Sequence, residues 1–96
     1  MSISGSPEGG GQNIVELVVQ MQFDSFYSRL DPEIRIDNSL YLLSNQDWYV
    51  LRGCFRAGCI TYQEGKKLKT DTNPYNFLAK EAGWQAMNDI SLSPGI

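Results

Sequence analysis

The last periodic segment restricts the fold most. Thr72 or Asn73 supplies a capping side chain, Pro74 sits in the first turn, where a missing N–H costs nothing, and Tyr75, Leu78, Ala82, Gln85 or Ala86 and Ile90 recur at helical spacing. Phe77, Trp84 and Met87 widen that apolar face. Gly83 within it costs about 1 kcal/mol relative to alanine, so it marks close packing or an early end of the helix. One amphipathic helix cannot bury its stripe alone, and the rest of the chain has to cover it.

Upstream the period changes to two. Val15, Leu17, Val19, Met21 and Phe23 alternate with Glu16, Gln20, Gln22 and Asp24, and only Ile14 and Val18 fall on the polar side, which predicts a half-buried strand. Residues 25–30 read as one helical turn placing Phe26, Tyr27 and Leu30 inward, with Pro32 as its stop. Residues 33–37 and 40–44 read as two further strands, with Ile34 and Ile36 inward and Asn38 and Ser39 in the turn. Residues 45–47 form the next turn. From 48 to 63 the aromatic and branched residues read as a hairpin that reverses at Arg56, Ala57 and Gly58, and Glu64 to Lys67 end it.

The expected fold is therefore α+β, a small antiparallel sheet of four to five strands with one C-terminal helix packed on a face. A small open barrel plugged by that helix is the alternative. Residues 1–12, rich in Gly, Ser and Pro, read as a disordered tail, 13–90 as a single domain, and 91–96 as a flexible C-terminus.

Composition narrows the chemistry. The 96 residues include no histidine, which removes Ser-His-Asp and Cys-His nucleophiles, His-containing zinc sites and the usual general base near neutral pH. Cys54 and Cys59 are too few for a disulfide scaffold or a thiolate zinc site, and the expected setting is a reduced, cytoplasmic one. In a hairpin the two thiols would oppose each other, either as buried filler or as a redox pair at its tip. Asp24, Asp31, Glu33, Asp37 and Asp47 lack the ordered spacing of a calcium loop, and Gly9, Gly10 and Gly11 precede the first periodic segment, where no phosphate loop stands. No apolar run reaches membrane-spanning length. No enzyme, cofactor, metal site or membrane partner is expected.

Charge and aromatics point to binding. Residues 1–50 carry two bases against seven acids, whereas residues 51–96 carry six bases against four acids. Both faces of the 48–54 strand carry apolar side chains, with Trp48 and Val50 on one and Tyr49 and Leu51 on the other, and the sheet needs only one face for the helix. The favoured reading is a non-catalytic protein-protein interaction module, an adaptor or inhibitor such as a virus or phage encodes, possible also as a homodimer. Trp48, Tyr49 and Phe55 are its anchors, and Arg52 and Arg56 pair with acids around them. A second reading is a nucleic-acid-binding domain that uses Arg52, Arg56, Lys66, Lys67 and Lys69 as one basic patch. The third is a small-molecule pocket between sheet and helix lined by Trp48, Tyr75 and Trp84.

Overall fold

The computed structural model describes residues 10–92, with side chains from 14 to 91. Helix α1 runs Gly10–Ser28, strands β1 (Glu33–Ile36) and β2 (Ser39–Leu42) form a two-stranded antiparallel hairpin, a 3-10 turn covers Leu43–Asn45, and helices α2 (Trp48–Gln63) and α3 (Pro74–Leu92) complete the order. The sheet of four to five strands is thus corrected to three helices and one short hairpin. Apart from 10–12 and 91–92, which are helical, the expected tails lie outside the described residues.

The first misread segment is α1. Val15, Val18, Val19 and Phe23 are all buried, and Phe26, Tyr27 and Leu30 pack against the same core, a spacing that follows the helical period through four turns. The alternation ends at Asp24 and needs a separate turn for 25–30, whereas the helical period absorbs both. Three valines are poor intrinsic helix formers, and burial against two other helices outweighs their propensity.

The second is α2. Asp47 caps it, its Oδ1 accepting from the backbone N–H of Tyr49 at 2.8 Å and Val50 at 3.2 Å. Leu51, Phe55, Gly58 and Cys59 are its buried face. Leu51 therefore shares no outer face with Tyr49, and Arg56, Ala57 and Gly58 reverse nothing. Gly58 lies in mid-helix because α3 passes directly over it. A Cβ at Gly58 would overlap the Lys80 carbonyl oxygen, and one at Gly83 would overlap the Phe55 carbonyl oxygen. The crossing is sealed by the Cys59 thiol, which donates to the Gly83 carbonyl at 3.4 Å. Gly83 thus marks close packing.

Helix α3 starts where its sequence places it. Asn73 Oδ1 accepts from the N–H groups of Tyr75 and Asn76, and Asn73 Nδ2 donates to Gln46 Oε1 at 3.0 Å, which ties the start of α3 to the loop before α2. Tyr75, Ala79, Ala86 and Met87 carry its buried stripe, and Leu78 is turned outward. The hairpin pairs Ile34 with Tyr41 and Arg35 with Leu40. Ile34 and Tyr41 pack on the core, and the buried Tyr75 hydroxyl donates to the Asp31 carbonyl at 2.7 Å, pinning the hairpin root to α3. Asp37 takes φ 54° in its turn.

Candidate functional site

Helix α2 carries most of the residues expected to bind a partner, and its helical period divides them. Phe55 is fully buried against Phe23 and Phe26, with ring centroids at 5.6 and 5.8 Å, so it is a core residue and drops out of the surface set. Arg56 Nε donates to Glu16 Oε2 of α1 at 2.6 Å, a half-exposed pair that ties two helices and contributes roughly 0–1 kcal/mol. The start of the helix remains. Trp48 is half-buried with its ring edge-on to Phe23 at 5.3 Å, and Tyr49 stands edge-on to Trp48 at 5.0 Å while staying 79% exposed. Val50 is half exposed beside it. Arg52 follows Tyr49 by three residues, on the same side of the helix, and has no carboxylate partner among the described residues.

The structure also exposes residues that the alternating pattern counted as core. Leu17 and Met21, four residues apart on α1, are 48% and 68% exposed, turned away from α2 and α3. The signal was in the sequence, since a helical phase that buries 15, 18, 19 and 23 places 17 and 21 on the opposite side.

The five-residue basic patch does not assemble. Arg56 pairs with Glu16 of α1 and Arg52 lies one turn before it, whereas Lys66, Lys67 and Lys69 line a cavity of about 250 Å³ beside the last turns of α2, over Ala57 and Thr61. Lys80 of α3 lines the same cavity, so it holds all four lysines of the chain. The end of α2 makes this possible. Glu64 caps the helix, Gly65 turns the backbone at φ 69°, its N–H reaches the Tyr62 carbonyl, and the Lys66 N–H reaches back to the Thr61 carbonyl at 3.1 Å. Residues 66–71 then form neither helix nor strand. Lys66 stands 3.5 Å from Glu64, and Lys80 donates to Asp71 Oδ2 at 3.2 Å. The Asp71 carboxyl is held below the usual carboxylate range, chiefly by the Asn73 N–H that it accepts from and then by Lys80, so it keeps Lys80 in place at neutral pH. Lys67 and Lys69 have no such partner among the described residues.

The small-molecule pocket is not formed. Tyr75 is buried with its hydroxyl already satisfied, and Trp84 packs edge-on to Tyr62 at 5.0 Å, near the end of α2 opposite to Trp48. Tyr62 lies fourteen positions along the helix from Trp48, about 21 Å away.

The cysteines change role as well. Five residues apart on a helix, Cys54 and Cys59 project about 140° apart and both are free thiols, so the opposed pair of a hairpin does not exist. Burial pushes the Cys59 thiol up to about 11 and raises Cys54 too. At pH 7 a thiol of pKa about 11 is ionised to only about 1 part in 10⁴, so Cys59 is expected to stay silent toward a disulfide reagent in the folded protein. Titration with the reagent before and after adding denaturant checks this, and rapid modification of two thiols in the native protein would contradict it.

No helix among the described residues is long and apolar enough to cross a membrane, and no three His, Cys, Asp or Glu side chains among them group as metal ligands. A scan against protein-family models, a search of curated proteins and a search of solved structures each found no match.

Proposed function

We propose that this protein is a non-catalytic protein-protein interaction module, an adaptor or inhibitor of the kind a virus or phage encodes, working in a reducing cytoplasm. The reading rests on Tyr49. A large aromatic side chain that is four-fifths exposed is a poor use of apolar area in a monomer, yet its ring is braced by Trp48 on a helix end that Asp47 caps. A rigid aromatic on a capped helix loses little freedom when it enters a pocket, which is what an anchor residue needs. Val50 extends the apolar contact, the edge of Trp48 borders it, and Arg52 offers a guanidinium to a carboxylate on the partner.

A second copy of the chain is one partner that this surface can take, and light scattering on a sizing column decides that case first, a mass of about twice 10.8 kDa meaning a homodimer. The site is tested by comparing what wild type, Tyr49→Ala and Leu17→Ala retain. Tyr49→Ala is expected to weaken the partner about 30-fold, in the range of a hot-spot residue, with the fold unchanged. Equal retention by wild type and Tyr49→Ala would remove the start of α2 from the interface.

A further inference from the structure

The lysine cavity beside the last turns of α2 lies apart from the Tyr49 surface and asks for a ligand of its own. We infer that it binds a phosphoryl anion, held by the ammonium groups of Lys66, Lys67, Lys69 and Lys80.

Distribution is the first argument. The chain has 11 acids and 8 bases, so carboxylates are abundant, yet every lysine lines this one cavity and, among the described residues, Glu64 is the only carboxylate lining it. Four like charges around one cavity repel each other, and two structural carboxylates, Glu64 on Lys66 and Asp71 on Lys80, answer only half of them. Lys67 and Lys69 are left as uncompensated cations that a multivalent anion would neutralise.

Preorganisation is the second. Lys80 and Asp71 are each about four-fifths covered, so this cation is fixed before any ligand arrives. The cap that ends α2 uses the Gly65 and Lys66 N–H groups on helix carbonyls, which reduces the negative character of that helix end where the anion would sit. Leu68, half-buried between Lys67 and Lys69, lines the same cavity.

Size selects the ligand class. At about 250 Å³ the cavity falls below the roughly 300–1,000 Å³ of sites for drug-sized molecules, and suits a phosphate or pyrophosphate group better than a whole nucleotide. Lysines act as point charges without the planar fork of arginine, so the site ranks anions by charge density, with pyrophosphate above phosphate and both above chloride.

The test is an amide-resolved NMR titration of the full chain with pyrophosphate in metal-free buffer at constant ionic strength. Saturable shifts are expected at 57–69 and around Lys80, with roughly tenfold weaker binding in Lys67→Gln/Lys69→Gln and wild-type binding in Arg52→Gln. Lys67 and Lys69 are exposed, so the double variant should fold, and its circular dichroism confirms that. Non-saturating shifts matching those of sodium chloride, or equal losses in the lysine and arginine variants, would overturn the inference. A single-stranded oligonucleotide then separates the two sources of the group. Displacement of pyrophosphate from the same amides assigns the phosphoryl group to a nucleic-acid backbone, and failure to displace it assigns a small free anion. Tyr49→Ala should leave all of these titrations unchanged.

Discussion

Gly83→Ala is expected to lower the melting temperature by at least about 12 °C or abolish the cooperative transition. Two opposed effects decide the sign. Alanine in mid-helix gains about 1 kcal/mol of intrinsic helix stability over glycine. Against this, the new methyl would overlap the carbonyl oxygen of Phe55, a backbone atom that cannot rotate away. To relieve the overlap α2 and α3 must separate, which breaks the Cys59 to Gly83 hydrogen bond and opens the packing around Leu51, Phe55 and Ala79. Forced overpacking costs about 1–3 kcal/mol when side chains can adjust, and more when the obstruction is backbone. A net loss of about 3–4 kcal/mol is a large share of the roughly 5–10 kcal/mol that holds a chain of this size, and each kcal/mol moves the melting point by about 4–8 °C. Gly58→Ala, which meets the Lys80 carbonyl, should behave alike. Gly53 on the same helix is the control. Nothing lies within 4 Å of a Cβ there, so Gly53→Ala should raise the melting temperature by a few degrees. Thermal scans followed by far-ultraviolet circular dichroism read all three, and a Gly83→Ala protein that melts at or above wild type would refute the crossing.

Phe23→Ala should cost about 3–5 kcal/mol, the range for removing a large buried side chain. Its ring lies at 5.3 to 6.0 Å from the rings of Trp48, Phe55, Tyr27 and Phe26, so one residue of α1 joins α2 to the end of its own helix. The cavity would not collapse easily, because its walls come from two rigid helices. Trp48 also loses its edge contact, and Trp48 braces Tyr49, so the proposed Tyr49 surface should be weakened along with stability. Urea unfolding monitored by tryptophan emission would show a lower midpoint with an unchanged slope. A midpoint within experimental scatter of wild type would mean that this aromatic cluster does not hold α1 in place.

Partial legibility of the chain has local causes. The start of α3 could be read because the Asn73 side chain accepts from the Tyr75 and Asn76 N–H groups and Pro74 needs no partner for a missing N–H, and a turn between the two strands because short polar residues tolerate its geometry, although it falls at Asp37 and Asn38, one residue before the expected Asn38 and Ser39. Residues 14–24 misled because period 2 and period 3.6 share Val15, Val19 and Phe23, and differ over Ile14, Leu17, Val18 and Met21. Residues 48–63 misled because glycine and branched residues argue locally for a hairpin, while the Asp47 cap, visible in the sequence, argues for the helix that forms. The candidate surface followed the same logic. Tyr49, placed on an outer face by strand parity, is exposed on a helix instead, Phe55 is a core residue, and Lys80 was missed because it joins Lys66, Lys67 and Lys69 only when α3 crosses α2.

Sequence alone determined the absence of histidine chemistry, the capped terminal helix, the short hairpin and the uneven charge, because each depends on residue identity or on neighbours within a few positions. Tertiary structure alone decided that Gly58 lies against the Lys80 backbone and Gly83 against the Phe55 backbone, that α1 presents Val18 inward and Met21 outward, and that four lysines share one cavity. The physical reason is that two candidate periods for the same residues differ little in local free energy, and the choice is made by apolar area buried between helices far apart in the chain.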